Sequence, residues 1–128
     1  MAQILIAEDE TAVRTFVARA LGHKGHRVTQ VCDGLQALQA LEDQRFDLLI
    51  TDIVMPSLDG IGLALKVAKD HPALPVLLVT GYAAEKQRAH NLEELICDVV
   101  TKPFTLQQIC DAAEKAMRLA NSQVAVRA

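Results

Sequence analysis

The chain has 128 residues, 51% hydrophobic and only 3% aromatic, with 13 Lys and Arg against 16 Asp and Glu for a net charge of −3. That is the size of one domain with a single core of Leu, Ile, Val and Ala, and with no basic block it excludes non-specific nucleic-acid binding. No apolar run approaches the ~20 residues of a membrane span, no basic segment leads into a long apolar one at the N-terminus, and three widely spaced cysteines, Cys32, Cys97 and Cys110, fit neither a disulfide framework nor a zinc site but a reducing, cytoplasmic setting.

Strand and helix signals alternate five times along the chain. Ile4 to Ala7 is a short apolar run that ends in Glu8-Asp9, and Val13, Phe16, Val17, Ala20 and Leu21 follow at the spacing of one helix face. After Gly25, Arg27 to Val31 reads as the second strand; after Asp33-Gly34, a helical pattern runs from about Leu35 to Leu41. Asp47 to Thr51 is the third strand, and its unbroken Leu48, Leu49 and Ile50 imply burial on both faces. Asp52 comes directly after, a carboxylate that is costly in such surroundings unless something pairs with it. Asp59-Gly60 opens a helix over Ile61 to Lys69, His71-Pro72 closes it, and Pro75 to Thr80 is a strand ending at Thr80-Gly81. Ala83 to Leu92 is the weakest helical pattern, because Glu85, Lys86, Gln87, Arg88, His90 and Asn91 leave few apolar anchors. Cys97 to Thr101 is the fifth strand, ending in Lys102-Pro103, and Leu106 to Ala120 is the last helix. With no repeat or linker, residues 1–120 are expected to form one domain and 121–128 a short tail with no output domain.

Alternation of this kind predicts a mainly parallel, doubly wound α/β sheet, because each parallel crossover needs a covering helix. Ligands of such sheets gather outside the carboxyl ends of the strands, so those ends belong together. If the first and third strands are neighbours, ~4.8 Å apart, Glu8, Asp9 and Asp52 crowd one pocket. Crowded carboxylates repel, and a cation relieves them. Oxygen ligation by a few carboxylates and waters suits Mg²⁺, which favours phosphate oxygens as further ligands. Thr80 adds a hydroxyl and Lys102 an ammonium, both suited to phosphoryl oxygens, so Asp52 is the expected phosphoacceptor. Gly81, without a side chain, leaves the approach open.

Taken singly, each residue has an ordinary role. Glu8 and Asp9 are acidic groups favoured near a helix N-terminus, Asp59 is a turn residue or cap, Thr80 is loop chemistry and Lys102 a solvated lysine. The four histidines, His23, His26, His71 and His90, share no ligand spacing and are expected at the surface. The cysteines are expected as small buried apolar groups. What the ordinary roles do not predict is their joint placement at strand ends.

Together, Glu8-Asp9, Asp52 with Met55-Pro56 and Asp59-Gly60, Thr80-Gly81 and Lys102-Pro103-Phe104 resemble the receiver domain of two-component response regulators over essentially the whole chain. The resemblance implies the CheY-like, flavodoxin-like (βα)5 fold with strand order 2-1-3-4-5. It implies phosphorylation of Asp52 by a histidine kinase or histidine phosphotransferase, Mg²⁺ organised by Glu8 and Asp9 with the Val54 backbone carbonyl as a further ligand, and a cis bond before Pro103. Such a protein labels itself and is not an enzyme acting on external substrates.

Departures from the family pattern predict behaviour. Many receivers carry an aromatic residue three positions before the lysine; Val99 stands there, so no large aromatic swing can occur, and any switch must use movement of the weak helix and the loop around Tyr82, or a smaller repacking. Val54 and Tyr82, apolar and bulky at positions that influence attacking water, predict a long-lived phosphoryl group. The stretches "ILIAEDE", "FDLLITDIVMPSLDGI", "VTGYAAE" and "VVTKPFTL" look most like the CpdR type of stand-alone receiver, which in alphaproteobacteria controls substrate delivery to the ClpXP protease, chiefly when unphosphorylated. The alternative within signalling is a phosphate shuttle or sink in a phosphorelay. A haloacid-dehalogenase-type phosphatase needs a second acid where Val54 stands, and a flavodoxin-like module needs a phosphate-cradling loop that "AEDETA" would repel.

Overall fold

The computed structural model describes residues 2–81 and 98–127, those after 120 by backbone alone. In chain order the elements are β1 (Gln3–Ala7), α1 (Thr11–His23), β2 (Arg27–Val31), α2 (Gly34–Asp43), β3 (Leu48–Asp52), α3 (Gly60–Asp70), β4 (Val76–Thr80), β5 (Asp98–Thr101) and α4 (Leu106–Arg127). The strands form one sheet in the order β2-β1-β3-β4-β5, with every pairing parallel. This is the doubly wound architecture the alternating signals predict.

The central strands are apolar throughout because both of their faces are covered. Leu5, Leu49, Val76 and Leu78 point to one side, where Ala37 and Leu41 of α2 and Leu63, Ala64 and Val67 of α3 meet them. Ile4, Ile6, Leu48, Ile50, Leu77 and Val79 point to the other, against Val17, Ala20 and Leu21 of α1 and Ile109, Cys110, Ala113 and Ala116 of α4. At ~25 cal/mol per Å² of apolar area removed from water, these two layers are the dominant favourable term of the fold. The edge strands carry their polar residues outward: Arg27 and Gln30 in β2, Asp98 and Thr101 in β5, are exposed.

Side chains start three of the helices. Asp33 Oδ1 accepts from the Gln36 backbone N–H at 2.8 Å and Asp59 Oδ1 from that of Gly62 at 2.8 Å, so Asp59 is a cap. Thr105 and Gln108 form a reciprocal pair: Thr105 Oγ1 accepts from Gln108 N at 3.1 Å, and Gln108 Oε1 from Thr105 N at 2.8 Å. For α1, the capping position Glu10 makes no side-chain cap.

Several expectations are corrected. The last helix continues to Arg127 instead of ending near Ala120, since no glycine or proline in 121–127 stops it. β3 lies one residue later than expected and includes Asp52. Cys32 is exposed while Cys110 is buried; Cys32 follows an edge strand, where no second layer covers it. His26 and His71 are half-buried rather than fully at the surface, and His26 Nδ1 accepts from the Ala2 backbone N–H at 3.1 Å. The helix expected over Ala83 to Leu92, with Tyr82, His90 and Cys97, lies outside the described residues. Among the described residues, no helix is long and apolar enough to cross a membrane.

Candidate functional site

Sheet register brings the strand ends level. Ala7 at the end of β1 stands opposite Thr51, Asp52 opposite Val79, and Thr80 opposite Thr101. The residues that follow therefore emerge on one edge: Glu8 and Asp9 after β1, Asp52 itself, Thr80, and Lys102 after β5. Glu8, Asp52 and Thr80 are the polar side chains there that lie buried, at 3%, 7% and 1% exposure, whereas Asp9 is exposed. Carboxylate oxygens of Glu8, Asp9 and Asp52 lie within 4.8 Å of one another.

Lys102 reaches into this cluster. Its Nζ stands 2.9 Å from Glu8 Oε1 and 3.4 Å from Asp52 Oδ2, so the sequence-predicted pairing with Asp52 exists, but Glu8 is the nearer partner. Asp52 Oδ1 accepts from the Ile53 N–H at 2.8 Å, which pins one oxygen and leaves the other toward the lysine. Glu8 Oε2 accepts from Glu10 N at 3.2 Å. Glu8 is thus engaged within its own loop and does not cap α1.

The electrostatics follow from burial and crowding. Burial raises the Glu8 carboxyl from 4.5 to about 7, the Asp52 charge adds to this, and the hydrogen bonds from Lys102 and the Glu10 amide work against it. For Lys102, burial disfavours the ammonium but is outweighed by the hydrogen bond to Glu8 and the negative charges of Asp52 and Glu8, so its pKa rises. Three carboxyl groups gather here around one lysine, so the pocket holds more acidic groups than Lys102 can balance. An all-oxygen donor set of this kind fits a hard divalent cation such as Mg²⁺, and Glu8, Asp9 and Asp52 are the residues that could hold it.

Asp9, Asp52, Val54, Gly81, Lys102 and Pro103 are among the residues lining a cleft of about 720 Å³ over this edge. Val54 is 47% exposed there, and the Lys102–Pro103 peptide is cis, as the family resemblance implies. Gly81 lines the cleft as well, and an added Cβ there would stand 3.6 Å from Lys102 Cβ, an ordinary contact within the protein. Val99 is not part of the cluster; it lies in the middle of β5 and packs on the α2–α3 side of the sheet. Tyr82 lies outside the described residues.

Two residues absent from the sequence-predicted site bear on it. Gly60, read in the sequence as a turn residue and as part of the receiver-like motif but given no role at the site, presses the start of α3 onto the backbone of Asp52 so closely that a Cβ would overlap the Asp52 carbonyl oxygen. Arg14 donates from Nη1 to the Glu8 carbonyl at 2.8 Å; nothing in the periodicity of α1 separates it from a solvated arginine.

The family model for the response regulator receiver domain matches residues 4–114. The chain belongs to the response regulator receiver family. It is 37% identical over 91% of its length to the response regulator receiver protein CpdR of Brucella abortus and covers 98% of that protein. It is 34% identical to part of the sensor kinase CckA of the same organism, over 91% of this chain but 12% of the kinase. It spans less than half the length of the transcriptional regulators among its relatives. The crystal structure of the receiver domain of NtrX from Brucella abortus superposes with a TM-score of 0.84 at 31% identity, covering 90% of this chain and 98% of that one. The chain is therefore a receiver domain of a two-component signalling response regulator, close to CpdR, in a family that works with histidine kinases, and the phosphatase and flavodoxin alternatives fall away.

Proposed function

We propose that this receiver is a phosphorylation-controlled protein switch. One Asp52 carboxylate oxygen attacks phosphorus on a phosphohistidine of a kinase or phosphotransferase; the phosphorus–nitrogen bond breaks as the oxygen–phosphorus bond forms, and the leaving imidazole keeps the electron pair and takes up a proton. Lys102 balances charge on the transferring oxygens, and Thr80 at the end of β4 contacts the phosphoryl group once it is in place. Glu8, Asp9, Asp52 and the Val54 carbonyl would hold Mg²⁺, which supplies charge neutralisation at the phosphoryl oxygens. The observation that carries this is the convergence on Asp52: two further carboxylates within 4.8 Å and an ammonium at 3.4 Å.

The output is protein–protein contact in the cytoplasm, with CpdR-type control of ClpXP proteolysis supported by 37% identity across nearly the whole of that relative. With Val99 in place of an aromatic, the switch uses the segment at Tyr82 and a small repacking around Val99 and Pro103. Acetyl phosphate with Mg²⁺, followed by intact mass and peptide mapping, tests the chemistry: a single label on Asp52 is expected, and a label elsewhere overturns it. Co-precipitation with the ClpX unfoldase, lost on phosphorylation, tests the output. Phosphoryl transfer onward to a histidine phosphotransferase with no ClpX binding would instead make this receiver a shuttle.

A further inference from the structure

We propose that Arg14 is a positioning residue for the metal-binding loop, tethering the β1–α1 turn that presents Glu8 and Asp9. The loop leaves the sheet at Glu8, whose N–H still donates to the Val31 carbonyl at 3.1 Å. Beyond that point Asp9 and Glu10 are exposed, and the α1 N-terminus has no side-chain cap to hold the turn. Half-buried Arg14 supplies the hold from the helix side, with Nη1 2.8 Å from the Glu8 carbonyl oxygen and Nη2 3.5 Å from Thr11 Oγ1. Its own backbone N–H donates to the Glu10 carbonyl at 2.9 Å. The guanidinium thus bridges the residue before Asp9 to the first turn of α1, while Glu8 Oε2 accepts from Glu10 N across the same turn.

Charge and tether act in opposite directions here, which separates them. A guanidinium beside a cation site repels the cation, so losing the charge alone would tighten metal binding. Losing the tether frees the turn to sample conformations that scatter the Glu8 and Asp9 carboxylates, and ordering them again opposes binding. Groups that orient metal ligands without touching the metal typically matter by ~10-fold or more in affinity.

This inference rests on the Mg²⁺ site proposed above, and the experiment keeps the two apart. Mg²⁺ is titrated into the unphosphorylated full chain and into Arg14→Met, which keeps the apolar stem and removes both charge and donors; binding is read by calorimetry, and thermal unfolding without metal checks the fold. The expected result is a Kd about tenfold weaker in Arg14→Met at an essentially unchanged melting temperature. An equal or tighter Kd overturns the tether while leaving the metal site standing, whereas no Mg²⁺ binding by the parent overturns both. Arg14→Lys, which keeps the charge but loses the fork that spans the Glu8 carbonyl and Thr11, is expected to bind Mg²⁺ more weakly than the parent. It carries the same comparison should the methionine variant not fold: affinity equal to or tighter than the parent's overturns the proposal.

Discussion

Gly60→Ala is the smallest change that reaches Asp52 through the backbone. The added Cβ would overlap the Asp52 carbonyl oxygen and stand 2.9 Å from both Asp52 C and Ile53 Cα. None of these atoms belongs to a side chain that can turn away. The helix start cannot drift either, because Gly60 N donates to the Ile53 carbonyl at 2.8 Å. Alanine favours a helix over glycine by ~0.5–1 kcal/mol, whereas forcing a methyl into closed packing costs ~1–3 kcal/mol; with backbone as the obstacle the upper half of that range applies, and the net is a loss of about 1–2.5 kcal/mol. Gly22, inside α1, is the control: a Cβ there meets nothing within 4 Å, so Gly22→Ala should gain ~0.5–1 kcal/mol. Urea unfolding of parent and both variants, at a constant m-value, measures the two signs. Relieving the overlap displaces the backbone of Asp52 at the end of β3, and because small misplacements of reacting groups cost up to ~100-fold, labelling of Asp52 by acetyl phosphate should slow by about tenfold or more. A Gly60→Ala protein as stable as Gly22→Ala, or one labelled at the parental rate, would refute the claim that α3 is seated on the Asp52 backbone.

Asp9→Ala should retain the fold, since Asp9 is exposed, yet lose Mg²⁺-dependent labelling of Asp52; unchanged Mg²⁺ affinity by titration would place the metal elsewhere. Glu8, buried and raised from 4.5 to about 7, binds its proton more tightly in the folded chain than in the unfolded one, so in EDTA its contribution to stability is fully present below pH 4.5 and is lost as pH rises through 7, by up to about 3 kcal/mol. Urea unfolding at pH 5 and pH 8 should show that fall, and Glu8→Gln should flatten it; parallel pH dependences in parent and variant would contradict the assignment. Over the same window the parent's Mg²⁺ affinity should rise with pH, because the ligand must give up its proton. Val54, exposed in the cleft beside Asp52, offers no polar atom to orient water from its side chain. Val54→Asn should shorten the lifetime of the Asp52 acylphosphate by about threefold to tenfold, up to ~1.4 kcal/mol of barrier, and an unchanged decay of purified labelled protein in excess Mg²⁺ would exclude shielding by this residue.

Much of this molecule was legible in one dimension because its rules are local. β1, β3 and β4 announce themselves as unbroken apolar runs since both of their faces are buried, Asp33 and Asp59 read as turn or cap residues, and strand ends collect chemistry in any parallel sheet. The Thr105–Gln108 capping box is equally local, a threonine followed three residues later by a glutamine. Cys32 shows where locality fails: its type favours burial, but its place beyond an edge strand, set by the strand order, leaves it exposed. Lys102 could be assigned to the site from its position after β5, yet its nearer engagement with Glu8 depends on side chains from three strand ends that lie far apart in the sequence meeting at one edge, Lys102 and Asp52 being 50 positions apart. Gly60 and Arg14 reach the site through the backbone carbonyls of Asp52 and Glu8, groups every residue carries, so residue type alone does not reveal these contacts. Periodicity and turn chemistry thus determined which elements form and which ends bear acid or base, because both are settled within a few residues. The distances that turn those ends into a site were decided by sheet register and helix seating, which exist only once the whole chain has packed.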